Sequence, residues 1–259
     1  MDEFTAKNVL VLGGSRGIGA AIVRRFAQGG ANVAFTYAGS LGAAEALAAE
    51  TGAEAIQADS AARDALVATV AARGALDVLV INAGTLVLGD PLTLDAGALD
   101  VLVINAGTLV LGDPLTLDAD AVDHMIDVNV RAPYHAAVEA GRTMNDNGRI
   151  IVIGSVNGDR MPFAGGAAYA LTKSAVQGMV RGLARDFGDR GITVNSIQPG
   201  PTDSDMNPAE GPMAATMHSF MAIKRHARPQ EIAELAAYLA GPHAGMITGS
   251  MQTIDGGFG

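Results

Sequence analysis

Short apolar runs rich in Val and Ile alternate along this chain with longer Ala-rich stretches of helical character. The apolar runs are continuous, which is typical of strands buried on both faces of a parallel sheet. Strands and helices in alternation predict an α/β fold, a doubly wound parallel sheet in three layers, within a single domain over residues 1–259. The expected strands are 9–12, 32–37, 55–58, 149–153, 193–197 and 251–254, and the expected helices are 18–28, 41–50, 62–72, 167–187 and 230–239.

Residues 74–96 recur without a change as residues 97–119. Each copy contains one apolar run, at 78–81 or 101–104, followed by an Asn-Ala-Gly turn. Two copies are too few to stack as a repeat protein, so only one need occupy the sheet and the other is expected to be surplus to the fold. The surplus lies beyond the strand if the first copy is used and before it if the second is used. We favour the second copy, because this choice leaves the carboxyl edge of the sheet intact.

The surplus apolar copy is also an aggregation or domain-swap hazard. We therefore expect deletion of residues 74–96 to preserve the fold and raise the melting temperature.

The chain of 259 residues has a formal net charge of -10 and contains no cysteine. The acidic balance argues against binding to nucleic acid. The absence of cysteine excludes disulfides and fits a cytoplasmic protein. The start of the sequence does not have the pattern of a signal peptide, and no apolar run approaches the ~20 residues of a membrane span. We predict no membrane partner and no metal site.

A glycine-rich turn, GGSRGIG at 13–19, follows the first expected strand and opens the first helix. Glycine permits a tight turn and the close approach of a pyrophosphate to the helix N-terminus. The G-x-x-x-G-x-G spacing alone is compatible with an ordinary strand-to-helix turn, but its place in the first strand–helix unit favours nucleotide binding. The candidate residues are Gly13, Ser15, Arg16, Gly17, Ile18 and Gly19.

The end of the second expected strand carries no acidic residue, although an acid there would bond the ribose 2′-hydroxyl of NAD. The strand ends at Tyr37, and the next polar residue is Ser40. Arg16 could face a 2′-phosphate with Ser40 donating to it, so we predict NADP(H) in preference to NAD(H); a solvated loop arginine is the alternative. Asp59 and Ser60 follow the third strand, where adenine would lie, although Asp59 could equally cap the next helix.

Tyr169 and Lys173 are four residues apart on an expected helix and therefore share one face. A nearby ammonium stabilises a phenolate, which allows the phenol to exchange a proton during catalysis. Ser155 follows an expected strand upstream of this pair. Each residue alone is compatible with a surface or turn position, and their joint occurrence in this order favours hydride-transfer chemistry on a carbonyl or alcohol.

Taken together, these motifs resemble the short-chain dehydrogenase/reductase family. The matching segments are GGSRGIG at 13–19, the Asn-Ala-Gly turn at 82–84 or 105–107, Asn129, Ser155, Tyr169 with Lys173, Pro199-Gly200, and IDGG at 254–257. The resemblance implies a Rossmann-like sheet of about seven strands and a homodimer or homotetramer. It also implies catalytic roles for Tyr169 as general acid/base, for Lys173 on the phenol and the nicotinamide ribose, and for Ser155 on the substrate oxygen.

The remaining implied roles concern the surroundings of the nicotinamide. Asn129 would support a proton-relay water near Lys173. The cofactor would be lined by Asn82 or by Asn105, Ala106 and Gly107, and by Pro199, Gly200, Thr202 and Ser204. Residues 203–228, rich in Met and Pro, would form a substrate lid, or simply the inner face of lid helices.

The resemblance implies an NADP(H)-dependent oxidoreductase acting on a small carbonyl or alcohol. The alternative is a non-catalytic or regulatory nucleotide-binding protein on the same scaffold. Two segments, GSVNGDRMP at 154–162 and MAIKRH at 221–226, resemble a bacterial subgroup described as cyclic-di-GMP-binding biofilm dispersal mediators. In this alternative Arg160, Lys224 and Arg225 would contact a nucleotide phosphate.

Overall fold

The structure is a computed structural model that describes residues 3–59, 63–73, 75–82, 99–105 and 107–259. Its strands form one sheet in which every adjacent pair is parallel. The strands are β1 (Asn8–Leu12), β2 (Asn32–Tyr37), β3 (Glu54–Gln57), β4 (Val78–Ile81), β5 (Val101–Ile104), β6 (Arg149–Ile153), β7 (Thr193–Pro199) and β8 (Met251–Ile254). Their order in the sheet is β3-β2-β1-β4-β5-β6-β7-β8. The predicted α/β class is confirmed.

Helices cover both faces of this sheet. They are α1 (Gly17–Gln28), α2 (Leu41–Thr51), α3 (Arg63–Ala71), α4 (Ala119–Ile126), α5 (Ala132–Thr143), α6 (Ala167–Asp186), α7 (Ala214–Ser219) and α8 (Pro229–Ala240). One apolar core lies between the sheet and α1, α2 and α8, and a second lies between the sheet and α3, α5 and α6. Two-sided burial explains why the strands are continuous apolar runs. Within the described ranges, no helix combines the length and apolarity needed to cross a bilayer.

Both copies of the repeated segment contribute a strand, which differs from the expectation that one copy alone occupies the sheet. β4 and β5 are neighbours, with Val78 opposite Val101 and Ile81 opposite Ile104. Both strands are buried along their whole length. The sheet therefore has eight strands where about seven were expected.

The composition of the repeated strand explains this arrangement. VLVI is apolar at every position, so either copy satisfies a place in the sheet that is buried on both faces. Because the two strands pair in register, Val78 and Val101 face the core under α1, while Leu79 and Leu102 face the opposite core. No side chain has to exchange faces, as a shift of one residue would require.

Candidate active site

The glycine-rich turn after β1 packs closely against neighbouring segments at the carboxyl edge of the sheet. Gly13 and Gly17 have φ values of +77° and +54°, in the left-handed region that favours glycine. A Cβ at Gly13 would overlap the carbonyl oxygen of Asn82, whereas a Cβ at Gly17 would meet only open space. The turn also donates to Thr36 of β2, with Gly13 N 2.8 Å from the Thr36 hydroxyl. Gly17 therefore leaves room for a ligand directly at the start of α1.

Asn82, at the end of β4, holds this turn from the side. Its side-chain amide donates to the carbonyl oxygen of Gly13 at 2.5 Å. A Cβ at Gly19 would overlap the same amide group. Asn105, the equivalent residue of the second copy, donates in turn to the side-chain oxygen of Asn82. Only the asparagine of the first copy touches the glycine-rich turn among the described contacts.

Lys173 and Tyr169 lie on one face of α6, as the sequence predicted. The Lys173 Nζ is 5.6 Å from the centroid of the Tyr169 ring. Lys173 is only 5% exposed, so its ammonium is held out of bulk water. Gly107 of the second copy packs against it, since a Cβ on that glycine would lie 3.3 Å from Lys173 Nζ. Tyr169, Lys173 and the turn of the second copy are therefore close together at this edge of the sheet.

Asn129 connects the turn of the second copy to α6. It is buried within a π-helical turn, Asp127–Arg131, between α4 and α5. Its Oδ1 accepts from Thr108 N at 2.8 Å and its Nδ2 donates to Thr108 O at 2.9 Å. The same Nδ2 donates to Thr172 Oγ1 at 3.1 Å, and that hydroxyl donates to Tyr169 O at 2.8 Å. Asn129 thereby fixes the backbone beside both Tyr169 and Lys173. π-Helical turns of this kind are frequent at functional sites.

Ser155 follows β6 and begins a short 3₁₀ turn, Val156–Gly158. It is 8% exposed, and its hydroxyl oxygen accepts from Asn157 N at 3.1 Å. The turn is fastened to α6, because the Ser174 hydroxyl donates to Gly158 O at 2.7 Å. A Cβ at Gly158 would lie 2.9 Å from the carbonyl oxygen of Lys173. The elements that carry Ser155, Tyr169 and Lys173 are thus packed together.

Arg16, predicted to face a 2′-phosphate, forms an ion pair with Asp205 at 2.6 Å. Both side chains are largely exposed, at 62% and 71%. This contact joins the glycine-rich turn to the predicted lid segment. The lid segment was predicted from the sequence, but the contact was not. The guanidinium is therefore near the helix start but already has a carboxylate partner.

The other predicted cofactor residues lie around this edge. Tyr37 ends β2 and is buried, Ser40 precedes α2, Asp59 follows β3, and Ser15 and Ile18 are part of the glycine-rich turn. After β7, the Thr202 hydroxyl donates to Gly200 O at 3.1 Å, and the Ser204 hydroxyl accepts from Asn207 N at 3.3 Å. Pro199 is the last residue of β7. Ser60 and Ala106 lie outside the described residues.

Most of the basic cluster at 224–228 has local partners. Arg225 forms a two-pronged ion pair with Glu231, at 2.8 and 2.7 Å. This pair, together with the backbone N–H of Arg228, lowers the pKa of Glu231 to about 2. The Lys224 ammonium donates to Ser219 O at 3.3 Å.

Arg160, the other candidate phosphate contact, donates to Phe258 O at 2.5 Å. Segment 220–223 pairs with the same stretch, since Ala222 N donates to Gly257 O at 3.1 Å. Arg160 thus lies beside residues 258–259, and each of the three cations is already engaged with protein atoms.

Sequence reasoning missed a histidine pair in the lid segment. His218 Nε2 and His226 Nδ1 are 2.8 Å apart. His226 is 4% exposed; its burial and the charge of His218 lower its pKa, while Asp203 acts in the opposite direction. Nothing in the spacing of the two residues distinguishes this pair from two solvated histidines.

Two family models match the chain. One described as short chain dehydrogenase matches residues 7–96, and one described as enoyl-(acyl carrier protein) reductase matches residues 90–259. The two matches meet within the duplicated segment.

Individual relatives agree with these matches. The chain is 58% identical over 259 residues to the cyclic-di-GMP-binding biofilm dispersal mediator protein of Escherichia coli strain K12, covering 100% of both chains. The crystal structure of BdcA in complex with NADPH is 57% identical, with a TM-score of 0.81 over 99% of this chain and 96% of that chain. A short-chain dehydrogenase/reductase from Serratia marcescens is 48% identical, with a TM-score of 0.82 over 99% of each chain. The chain therefore belongs to the short-chain dehydrogenase/reductase family.

Proposed function

We propose that this chain binds NADP(H) along the carboxyl edge of the sheet and transfers hydride between the nicotinamide and a carbonyl or alcohol. The observation that carries the proposal is the buried Lys173 ammonium, which lies beside the Tyr169 ring and packs against Gly107. Burying a cation costs free energy unless a partner of opposite charge or a hydrogen-bond acceptor offsets the cost. The phenolate form of Tyr169 would be such a partner during catalysis.

The residues at the other end of the edge fit a dinucleotide. α1 begins without a side-chain cap, so its first turn can receive a pyrophosphate. Open space at Gly17 and the nearby guanidinium of Arg16 favour a phosphate-rich ligand. The NADPH complex of the 57% identical relative supports NADP(H) as that ligand.

When bound, NADPH supplies the hydride. In the reductive direction the Tyr169 hydroxyl donates its proton to the carbonyl oxygen, and the Lys173 ammonium stabilises the phenolate that remains. The Ser155 hydroxyl donates to the same oxygen and offsets the charge that develops on it. Asn129 keeps α6 and the Gly107 turn in fixed relation through its bonds to Thr108 and Thr172.

Fluorescence titration with NADPH and NADH, followed by turnover on a panel of ketones, tests this proposal. We expect NADPH to bind more tightly than NADH and the Tyr169→Phe variant to lose about 100-fold in turnover while it still binds NADPH. Equal turnover by Tyr169→Phe, or no NADPH binding by the wild type, would reject the proposal.

The alternative function is regulatory binding of cyclic-di-GMP, favoured by the name of the 58% identical relative. In this alternative Arg160, Lys224 and Arg225 exchange their protein partners for phosphate oxygens. Calorimetry with cyclic-di-GMP on the wild type and on Arg160→Ala separates the two functions. Heat that disappears in Arg160→Ala supports the alternative, and no heat from a preparation that binds NADPH rejects it.

We also propose that the chain assembles into a homodimer or homotetramer and that it is located in the cytoplasm. Both follow from the family resemblance and the composition. Light scattering coupled to size exclusion measures the number of subunits, and a monomer across the working concentration range would contradict the assembly.

A further inference from the structure

The duplicated segment inserts one strand between the two ends of the proposed cofactor groove. The glycine-rich turn follows β1, and Ser155 follows β6. Between them the sheet has β4 and β5, one strand from each copy. With a single copy, one strand would separate β1 from β6.

The contacts of the two copies are divided between the two ends. The first copy contacts the glycine-rich turn, where Asn82 donates a hydrogen bond to Gly13 O. The second copy contacts the proposed catalytic residues, where Gly107 packs against Lys173. In a chain with one copy, a single Asn-Ala-Gly turn would have to make both sets of contacts. Here each set belongs to a different turn.

The spacing of the strands sets the size of this separation. Adjacent strands lie about 4.8 Å apart, so β1 and β6 are separated by about 14 Å instead of about 10 Å. The covalent bonds of a dinucleotide limit how far apart its two ends can lie. Displacement of a reacting group by about 1 Å can cost about 100-fold in rate, so a shift of one strand spacing exceeds what catalysis tolerates without loss.

We propose that the additional strand is a spacer that separates dinucleotide binding from hydride transfer. The inference rests on the proposed function. NADPH held by its phosphates near Gly17 and Arg16 would make its adenosine contacts in full, while its nicotinamide would reach Tyr169 and Lys173 in only a small fraction of the bound molecules. The chain then retains the ligand but transfers hydride slowly.

The decisive variant lacks one copy. Deletion of residues 74–96 and deletion of residues 97–119 yield the same sequence, so the variant is independent of which copy is removed. The remaining strand can pair with β1 as β4 does and with β6 as β5 does, in registers already present in the sheet. The variant is therefore expected to fold with seven strands.

Calorimetry compares NADPH with adenosine 2′,5′-bisphosphate, a probe of the adenosine half alone. In the full chain we expect the two ligands to bind with nearly equal affinity, because the nicotinamide half adds little to the binding. In the deletion variant we expect NADPH to bind about tenfold tighter than the bisphosphate and ketone turnover to rise about 100-fold. The affinity for the bisphosphate should be unchanged.

Two results overturn the proposal. The first is a full chain that binds NADPH tenfold tighter than the bisphosphate and matches the turnover of the deletion variant; the proposed function then stands. The second is failure of both proteins to bind NADPH, which removes the proposed function as well.

Proton NMR with saturation transfer on the full chain gives an answer even if the deletion variant does not fold. Strong transfer to the adenine protons with weak transfer to the nicotinamide protons supports the spacer. Equal transfer to both rings contradicts it.

Discussion

Asn82 and Asn105 occupy the same position in two identical segments, and the side chain of Asn105 donates a hydrogen bond to that of Asn82. Of these two described residues, Asn82 is the one that bonds to the glycine-rich turn, through Gly13 O. Two residues with the same sequence surroundings thus have different neighbours, because one strand lies beside β1 and the other beside β6.

Asn82→Ala is expected to weaken NADPH binding about fivefold, because it removes the hydrogen bond that holds Gly13 in place, a loss of about 1 kcal/mol. Asn105→Ala is the matched control, since it removes an equivalent amide without touching the turn. Titration of both variants checks the difference. An equal loss of affinity in Asn105→Ala would show that the two copies do not differ in this way.

Asp205→Asn is expected to tighten NADPH binding by about two- to threefold, because it frees Arg16 from an exposed ion pair worth at most about 1 kcal/mol. NADH, which has no 2′-phosphate, should bind as it does to the wild type. Glu210→Gln removes one negative charge from the same exposed segment and is the control. If Glu210→Gln tightens binding as much, the effect is a general change in charge and not the release of Arg16.

Gly107→Ala is expected to reduce turnover by at least about tenfold, because its methyl group would press on the Lys173 ammonium and move it from the phenol. Binding of adenosine 2′,5′-bisphosphate should not change. Gly178→Ala adds a methyl group in open space on the helix that carries Lys173. That variant should keep its turnover and gain about 0.5–1 kcal/mol in the free energy of unfolding. Normal turnover in Gly107→Ala would show that this turn does not hold Lys173 in place for catalysis.

Glu231 is expected to stabilise the chain at neutral pH and to lose this effect in acid. Its pKa in the folded chain is about 2, below its usual 4.5, because Arg225 and the backbone of Arg228 favour the charged form. A group with a lowered pKa contributes stability above its unfolded pKa and loses it as the pH falls. The melting temperature of Glu231→Gln should therefore lie below that of the wild type above pH 4.5, and the two should converge as the pH falls towards 2. A difference in melting temperature between the two proteins that stays constant across this pH range would contradict the stabilising role of the charged Glu231.

The alternation of strands and helices could be predicted because burial on both faces demands continuous apolar strands. The shared helix face of Tyr169 and Lys173 followed from their spacing, and the glycine-rich turn from its place before α1. These features depend on contacts within a few residues. They do not require knowledge of how distant segments meet.

The placement of the two copies could not be predicted, because identical segments have identical propensities and only the sheet decides which neighbours each one has. The pairing of Arg16 with Asp205 and of His218 with His226 depends on how the lid segment folds back, which no local pattern encodes. The rise in melting temperature expected on deleting one copy stays a prediction. The burial of both β4 and β5 opposes it, since the deletion removes the four buried apolar side chains of one strand together with the buried leucine that precedes it.

Transfer of deuterium to a ketone from NADPH that carries two deuterium atoms at the nicotinamide C4 measures hydride transfer by this chain. We expect deuterium at the carbinol carbon of the product, formed by the wild type at a rate that falls about 100-fold in Tyr169→Phe. A product without deuterium, or the same rate of label transfer in Tyr169→Phe, would contradict it.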